Sequence, residues 1–311
     1  SLRHTTYNGM GNDVADFNND GLEDIAVVDM LPPDNKRWKL TMMGNRYDEF
    51  EQNIRLGYEP QYVRNTLQLN NGTDLDGNLS FSEIGALSGV HATEWSWAPL
   101  FADYDNDGLK DLFIANGYRQ DVTNLDFIIY GKTTLFMGTP EANRQDRLRE
   151  LSKFPGIQLH NYVFKNKGNL QFEDVSKQWG LTAETFSNGT AYGDLDNDGD
   201  LDLVVNNLDQ TSKIFENQTN KIKPEHNWLR IKFEGAKPNR DGFGCKVWVW
   251  QKGQLQYQYF SPVRGYLSTV ESFLHFGLSA EKVDSLKVLW PDGKSQIIQN
   301  PKTKQLLTLQ Y

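Results

Sequence analysis

The sequence predicts an all-β protein with small helical insertions, made of β-propeller blades followed by a β-sandwich-like domain. Three observations predict it. An acidic nine-residue loop occurs three times, its first aspartates (Asp16, Asp103 and Asp194) lying 87 and 91 residues apart. A short run rich in β-branched residues follows each copy, which is typical of strands. Four short strands per unit, repeated along the chain, indicate propeller blades rather than a sandwich in this part of the chain.

The three loops read DFNNDGLED (16–24), DYDNDGLKD (103–111) and DLDNDGDLD (194–202). Oxygen-bearing side chains fall at loop positions 1, 3, 5 and 9, and glycine at position 6 allows a sharp turn. This pattern suits calcium, which takes about 6–8 oxygen ligands, and position 7 varies as expected if only its backbone carbonyl binds. We therefore predict sites for about three calcium ions, with the following ligands: Asp16, Asn18, Asp20, Leu22, Asp24, Asp103, Asp105, Asp107, Leu109, Asp111, Asp194, Asp196, Asp198, Asp200 and Asp202.

Two other interpretations of these loops are less economical. Each copy could be a solvated acidic turn, because D-G and N-D-G are ordinary turn signals. Clustering three or four carboxylates without a cation costs repulsion, however, and the chain does so three times. An EF-hand would need a following helix and a glutamate at position 12, where this chain has Val27, Ile114 and Val205. The loops are expected to join two β-strands.

Two stretches lengthen the repeated unit, at about residues 31–63 and 118–158. The first contains YDEFEQNIRLG, in which Tyr47, Phe50 and Ile54 share one helical face. The second contains PEANRQDRLRELSKF, in which Leu148 and Leu151 are spaced i,i+3. Both are expected to be helical insertions. They serve either to cover exposed blade surface or to bind a partner, as loops on one face of a repeat scaffold do.

Residues 223–311 are predicted to form a separate β domain, following blades at 1–222. WLRIKFE (228–234) alternates apolar and polar side chains. KVWVW and LQYQYF flank a QKGQ turn, and SLKVLW and KSQIIQ flank a PDG turn, so both pairs are expected to be hairpins. QLLTLQ (305–310) is the last predicted strand. A sandwich or a small barrel is the economical fold.

Composition limits the classes of function. The net charge is −9, and three calcium ions would bring it to −3, so much of the acidity is explained as ligand charge. An acidic chain does not suit nucleic acid. No apolar run is long enough to span a membrane. The chain starts without Met, so we expect a processed or truncated product whose lost segment could have carried an export signal. Multi-carboxylate calcium sites of low affinity favour an extracytoplasmic setting.

Catalytic signals are weak. We find no nucleophile elbow, phosphate loop or zinc-protease motif. Cys245, the single cysteine, alternates with apolar neighbours and is expected to be a core residue rather than a nucleophile. Trp95 and Trp97 are expected to pack within a blade, with stacking on a sugar ring as the alternative. His91 and Glu94, beside Trp95, form one weak candidate acid/base cluster. The five histidines are expected to be ordinary surface or core residues: His4, His91, His160, His226 and His275.

The motifs resemble two known families. The D-x-[DN]-x-D-G-x-x-D loop between strands, preceded by N-x-x-x-N-x-G and F-x-[ED]-[IV] strands, resembles the FG-GAP/VCBS repeats that build β-propellers. NRDGFGCKVWVW (239–250), RGYLS (264–268), LHFGLS (274–279) and VLWPDGK (288–294) resemble the ASPIC/UnbV domain. Together they resemble proteins of a bacterial surface or exported type, with the cartilage acidic protein family as animal relatives. Propellers of this kind have about seven blades, so three metal loops imply an incomplete or open ring.

These observations predict a non-enzymatic, extracytoplasmic calcium-binding module for adhesion or recognition, with a protein or carbohydrate partner. Two alternatives stay open. The chain could be part of a propeller-based polysaccharide-active enzyme, which needs a free acid/base pair in a cleft. It could also be a structural spacer of a larger surface protein. Nothing in the sequence indicates the oligomeric state or the identity of the ligand.

Overall fold

The computed structural model describes residues 2–41, 47–125 and 156–311, together with positions 128, 141, 144, 145, 148, 149 and 152. Within these residues the protein is mostly β-structure. None of the described helices is long and apolar enough to cross a membrane. The elements of the first quarter of the chain are β1 (Thr5–Thr6), β2 (Asn12–Ala15), β3 (Asp24–Val27), α1 (Asn35–Leu40), α2 (Tyr47–Arg55), β4 (Gln61–Tyr62), β5 (Thr66–Thr73) and β6 (Leu79–Glu83).

Three antiparallel sheets follow one another along the chain, as predicted for blades. Blade 1 has the strand order β2-β3-β5-β6, and β1 pairs with β4 in a small parallel sheet. Blade 2 has the order β7-β8-β9-β10, whereas blade 3 has only β11-β12-β13 in the described part of the chain. Their strands are β7 (Ser96–Ala102), β8 (Asp111–Asn116), β9 (Tyr162–Asn166), β10 (Phe172–Asp174), β11 (Ser187–Gly193), β12 (Asp202–Asn207) and β13 (Lys213–Phe215).

Blade 2 is buried on both faces because a neighbouring blade packs against each one. Strand β8 shows this directly, since all six of its residues are buried. Leu112 and Ile114 pack in the core shared with blade 1, and Phe113 and Ala115 pack in the core shared with blade 3. Alternate side chains of a strand point to opposite faces, so the continuous apolar run serves both cores.

The C-terminal region is a two-sheet sandwich, which confirms the fold predicted for it. One sheet has the order β19-β14-β22 and the other β16-β15-β20-β21, and inward-facing side chains of both form one core. Cys245 lies in that core and is fully buried, as predicted. The elements are α3 (Thr219–Ile222), β14 (Asn227–Glu234), β15 (Lys246–Gln251), β16 (Gln254–Tyr259), β17 (Val263–Arg264), β18 (Ser268–Thr269), β19 (Leu274–Leu278), β20 (Ser285–Leu289), β21 (Ser295–Gln299) and β22 (Gln305–Gln310).

A single arginine of the C-terminal region joins the first strands of all three blades. The Arg264 guanidinium contacts both carboxylate oxygens of buried Asp13 on β2, at 2.6 Å for Nη2–Oδ2. It also lies 3.3 Å from the Phe101 carbonyl oxygen on β7 and 3.4 Å from the Tyr192 hydroxyl on β11. Arg264 belongs to the RGYLS motif, so this motif fastens the C-terminal region to the blade array.

The first helical insertion is present, and the second falls mainly outside the described residues. In α2, Phe50 packs against Tyr62 with ring centroids 5.7 Å apart, whereas Tyr47 on the same face is 71% exposed. Helix α1 was not predicted; Asp34 caps it by accepting a hydrogen bond from the Arg37 N–H. In the second insertion Leu148 is helical and exposed, and Leu151 lies outside the described residues.

Candidate metal centre

Each acidic loop joins the first strand of a blade to the second, and the three loops share one hydrogen-bonded frame. Both oxygens of the first aspartate accept backbone N–H groups from positions 5 and 6. In loop 2, for example, Asp103 accepts from Asp107 at 3.1 Å and from Gly108 at 2.7 Å. Asp16 and Asp194 make the equivalent bonds in loops 1 and 3. The N–H of position 7 donates to the position 5 carboxylate in all three.

The aspartate at position 9 ties its loop to the third strand of the same blade. One oxygen accepts the N–H of position 2, and the other accepts an asparagine N–H at 2.8 Å, from Asn70, Asn166 or Asn217. Sequence reasoning assigned position 9 only as a metal ligand. The structure adds this structural role, which leaves further lone pairs on both oxygens for a cation.

The predicted ligands converge to different degrees. In loop 2, carboxylate oxygens of Asp103, Asp105 and Asp111 lie within 4.8 Å of one another, and in loop 3 those of Asp194, Asp196 and Asp198 do so. Within the described residues, loop 1 forms no such triad of acids. Its position 3 is Asn18, whose Nδ2 donates to Asp20 Oδ2 at 2.8 Å.

Burial disfavours the charged form of these carboxylates unless a positive charge lies close to them. It raises the pKa of Asp24 and of Asp200 to about 7, and raises the pKa of Asp103 and Asp111 well above the ordinary value. Two buried oxygens, Asp105 Oδ1 and Asp200 Oδ1, have no hydrogen-bond donor among the described residues. Calcium prefers hard oxygen ligands, and several of these oxygens are desolvated or lack a partner, so this set of residues fits a calcium ion.

Loop 2 differs from the others because two lysines lie on its acids. Lys165 Nζ contacts Asp105 Oδ2 and lies 2.7 Å from Asp107 Oδ2, and Lys223 Nζ lies 2.7 Å from Asp105 Oδ2. These ammonium groups lower the pKa of Asp105, although burial by itself would raise it. The lysines contact positions 3 and 5 of the loop, where a cation would bind. Sequence reasoning missed both, because they come from β9 and from the segment after α3.

Loop 3 carries its neutralising cation at a different position. Arg230 Nη1 on β14 lies 2.7 Å from Asp194 Oδ2, with both side chains buried, and Arg230 Nη2 also contacts Glu271. Asp196 is exposed. Neither Asp196 nor Asp198 forms an ion pair with a lysine or arginine in the described part of the chain. The Asp200 carboxylate accepts the Asn220 N–H at 2.9 Å, so at position 7 the side chain has a role beyond the predicted backbone carbonyl.

Position 4 of the loops is a structural position that sequence reasoning also missed. It is asparagine in every copy, with φ between 56° and 61°, a left-handed conformation that asparagine tolerates. Asn19 Nδ2 donates to the Gly108 carbonyl of loop 2 at 2.9 Å, and Asn106 Nδ2 donates to the Gly199 carbonyl of loop 3 at 3.1 Å. Each loop is therefore hydrogen-bonded to the next. The repeated asparagine with the adjacent D-G was the signal that could have indicated this.

The C-terminal domain contacts the glycine turns of all three loops. A side chain placed on Gly21, Gly108 or Gly199 would meet Leu255, Gln256 or Trp228 respectively, and at Gly199 the distance would be only 1.8 Å. His275 on β19 lies 2.7 Å from Asn106 Oδ1, and burial lowers its pKa to about 3, so its imidazole is neutral. The Asn106 amide nitrogen already donates to Gly199, so its oxygen accepts and His275 Nε2–H donates. The candidate metal centres thus lie where the blades meet the sandwich.

The candidate acid/base cluster is differently arranged. Glu94 is buried and its Oε1 lies 3.0 Å from Arg37 Nε, while Arg37 Nη1 contacts Asp121. Trp95 is buried and stacks on Tyr118 with ring centroids 4.1 Å apart, which agrees with a packing role. Trp97 is half-buried, and its indole N–H donates to the Gly117 carbonyl at 2.7 Å.

Comparisons with known proteins match the two parts of this architecture. Residues 153–205 match a family model described as FG-GAP-like repeat, and residues 235–311 match one described as ASPIC and UnbV. The first match covers β9 to β12, including loop 3, and the second covers most of the sandwich. The chain is therefore a β-propeller-type protein that combines FG-GAP-like repeats with an ASPIC/UnbV domain.

The chain is also homologous to cartilage acidic protein 1. It is 24% identical to the Mus musculus protein over 260 residues, which is 76% of this chain and 40% of that protein. It is 33% identical to the Xenopus tropicalis protein over 197 residues, or 63% of this chain and 25% of that protein. With the Homo sapiens protein it shares 25% identity over 216 residues, or 68% and 28%. The chain therefore spans less than half the length of these relatives.

Proposed function

We propose that this chain is a non-enzymatic calcium-binding module that works outside the cytoplasm in adhesion or recognition. The observation that carries the proposal is the position of the three acidic loops. Loops 2 and 3 hold clustered, partly desolvated carboxylates, and all three loops contact an adjacent loop and the C-terminal domain. A cation bound there stabilises the blades and the junction with the sandwich together.

About three calcium ions would be held by the loop aspartates, Asn18 and the position 7 carbonyl groups. When bound, calcium supplies positive charge to carboxylates that burial drives toward protonation. The protein's own residues do the rest. The position 6 glycines make the turn, the position 9 aspartates attach the third strands, and the position 4 asparagines of loops 1 and 2 connect successive loops. Sites of this composition fill where calcium is around millimolar, which supports an extracytoplasmic location.

Partner recognition is assigned to surfaces away from the loops. Helix α2 exposes Tyr47, and the half-buried Trp97 lies against Tyr266 with ring centroids 4.9 Å apart. Aromatic faces that are partly exposed suit a carbohydrate or a protein loop. The partner is accordingly proposed to be a carbohydrate or a protein. Calcium acts by keeping these surfaces in one arrangement.

The enzyme alternative has less support from the geometry. A glycosidic or lyase mechanism needs an acid/base pair that is free to exchange protons with a substrate. The one candidate carboxylate, on Glu94, is paired with Arg37 and buried. Glu94 does have an unusual backbone, with φ of 63°, and such strain occurs at functional sites. The non-enzymatic proposal would be abandoned if purified protein degraded a polysaccharide and Glu94→Gln removed that activity.

A glycan array in millimolar calcium, repeated with chelator, tests the recognition proposal. Circular dichroism of the same samples establishes that the protein is folded in each medium. Calcium-dependent binding to a defined glycan supports carbohydrate recognition and names the substrates to try for turnover. If folded protein binds no glycan, the carbohydrate arm fails. Cross-linking to cell-surface proteins, with and without calcium, then tests the proposal of a protein partner. If neither a glycan nor a protein binds, the structural-spacer alternative is left.

A further inference from the structure

Blade 3 presents an open sheet edge where blades 1 and 2 have a fourth strand. Strand β6 closes blade 1 and β10 closes blade 2, but in the described residues β13 pairs only with β12. After β13 the chain turns into the short helix α3 and enters the sandwich. Ile214, in the middle of β13, is 67% exposed. Unpaired backbone groups on a short edge strand can pair with an added strand.

Blade 2 shows what a fourth strand does at this position. Phe172 of β10 is paired with Asn166 of β9, and its ring packs against Phe17 of loop 1 with centroids 5.6 Å apart. Its N–H donates to the Ser88 carbonyl of blade 1 at 3.2 Å, and Gln171 Nε2 donates to the Leu87 carbonyl at 3.0 Å. The fourth strand of one blade therefore also seals the junction with the preceding blade.

The corresponding junction between blades 2 and 3 contains a cavity of about 440 Å³. Three of its lining residues occupy positions equivalent to residues around Phe172. Tyr104 holds the loop position of Phe17, Phe215 holds the strand position of Phe164, and Trp179 holds the turn position of Ser88. Leu181 and Leu203 complete an apolar floor. Ile222, on α3, borders the cavity but is 73% exposed, so the described chain leaves the space open.

We propose that this edge and cavity dock an extended strand of a partner polypeptide, whose aromatic side chain fills the cavity. The partner strand would run antiparallel to β13, as β10 runs to β9. Its aromatic residue would lie opposite Asn217, as Phe172 lies opposite Asn166 in blade 2. This interaction surface differs from the surfaces proposed above for recognition, although its cavity is lined in part by Asp105 and Lys223 of the loop 2 site.

Charge defines the partner strand further. In blade 2, Glu173 follows Phe172 and lies opposite Lys165 in the strand register, and its carboxylate lies 3.2 Å from Lys167 Nζ. In blade 3 the residue equivalent to Lys165 is Glu216. Opposite charges stabilise directly facing positions on antiparallel strands, and like charges destabilise them. The residue that follows the aromatic one in the partner is therefore expected to be Lys or Arg.

Peptide binding to the complete 311-residue chain tests the proposal. The first peptide is NLQFEDVSK, residues 169–177 of this chain, and the second carries Lys at the position of Glu173. Fluorescence anisotropy in calcium is expected to show tighter binding of the Lys peptide, by about two- to fivefold from one cross-strand charge pair. A peptide with Ala at the position of Phe172 should lose at least tenfold in affinity, because the cavity then stays empty.

The Glu216→Lys variant makes the test specific to this edge. Glu216 is exposed and its ion pair with Lys221 lies at the surface, so the substitution should leave the fold intact. The variant should reverse the preference and bind the Glu peptide more tightly. Glu184→Lys, an exposed glutamate just before β11, is the matched control and should keep the wild-type preference. Absence of binding to folded protein, equal binding of the Ala peptide, or an unchanged preference in Glu216→Lys would each overturn the proposal.

Discussion

Loops 2 and 3 have aspartate at positions 1, 3, 5 and 9 and asparagine at position 4, but their surroundings differ. In loop 2 two lysines contact positions 3 and 5, and position 3 is buried. In loop 3 the contacting cation is Arg230 at position 1, and Asp196 at position 3 is exposed. The same pattern of acids can thus be neutralised by lysines of the protein or be left to a metal ion.

The difference originates at the residue before the asparagine whose N–H binds the position 9 aspartate, Asn166 in blade 2 and Asn217 in blade 3. Blade 2 has Lys165 there and blade 3 has Glu216. A lysine at this point reaches the acidic loop of its own blade, as Lys165 does, whereas a glutamate adds negative charge near that loop. We therefore expect loop 3 to bind calcium most tightly, loop 1 to be weakened by Asn18, and loop 2 to bind only when Lys165 is displaced.

Chelation should have the largest effect and should separate the loops. A site filled at about one hundred times its Kd contributes about 2.7 kcal/mol of stability, which chelator removes. Loop 3 should then loosen most, because no lysine of the described residues forms an ion pair with its position 3 and 5 acids. Hydrogen exchange should show faster exchange at the Asp198 and Gly199 amides than at Asp107 and Gly108. Equal protection of both loops in chelator would show that the lysines do not matter.

Alanine at position 3 should affect the two loops differently. Asp105→Ala removes one of the two carboxylates that contact Lys165 and the carboxylate that contacts Lys223. It should therefore lower Tm in both calcium and chelator and reduce the free energy of unfolding by about 2 kcal/mol or more. Asp196→Ala, at an exposed position, should lower Tm in calcium and hardly at all in chelator. Thermal unfolding of both variants in both media measures this. The same pattern for the two variants would contradict the comparison.

Glycine at position 4 should separate the contacts between loops from the backbone conformation. Glycine accepts the left-handed φ, so only side-chain bonds are lost. Asn106→Gly removes bonds to the Gly199 carbonyl and to His275 and should cost about 1–3 kcal/mol. Asn197→Gly, at an exposed position, should stay within about 0.5 kcal/mol. Urea unfolding gives both numbers, and a costly Asn197→Gly would point to a role within the loop instead.

The smallest effect concerns the affinity of loop 2. Lys165→Gln removes the ammonium group from Asp105 and Asp107 and should strengthen calcium binding at this loop by about tenfold, which equals about 1.4 kcal/mol. Lys167→Gln, a half-exposed lysine two residues along, is the control and should leave the affinity unchanged. Calcium titration followed by calorimetry compares the two. A weaker or equal affinity in Lys165→Gln would show that the lysine does not compete with calcium.

Much of the fold could be predicted from the sequence because the signals are local. The D-x-[DN]-x-D-G-x-x-D spacing, the strands after each loop and the C-terminal hairpins depend on neighbouring residues, and the structure confirms the strands and hairpins. The burial of Cys245 was predictable because apolar residues alternate along the segment that leads into β15. Metal binding itself stays a prediction, as do the domain boundary at residue 222 and the partner.

The rest could not be predicted because it depends on contacts between distant segments. Lys165 lies 60 residues from Asp105, and Arg264 lies 251 residues from Asp13. Neither spacing has a sequence signature in one chain. In the sequence, SKIFENQTN (212–220) begins the repeated strand pattern again but does not complete it. The cavity beside β13 in the described part of the chain depends on three-dimensional packing and has no sequence signal.

The most direct test of the central claim is isothermal calorimetry of calcium into chelator-treated protein, with Tm measured on the same samples. The claim is that calcium stabilises the acidic loops at the junction of the blades and the sandwich. It predicts measurable binding that approaches three ions per chain, with a rise in Tm and with the tightest site lost in Asp196→Ala. Absence of binding heat together with an unchanged Tm in millimolar calcium would contradict it.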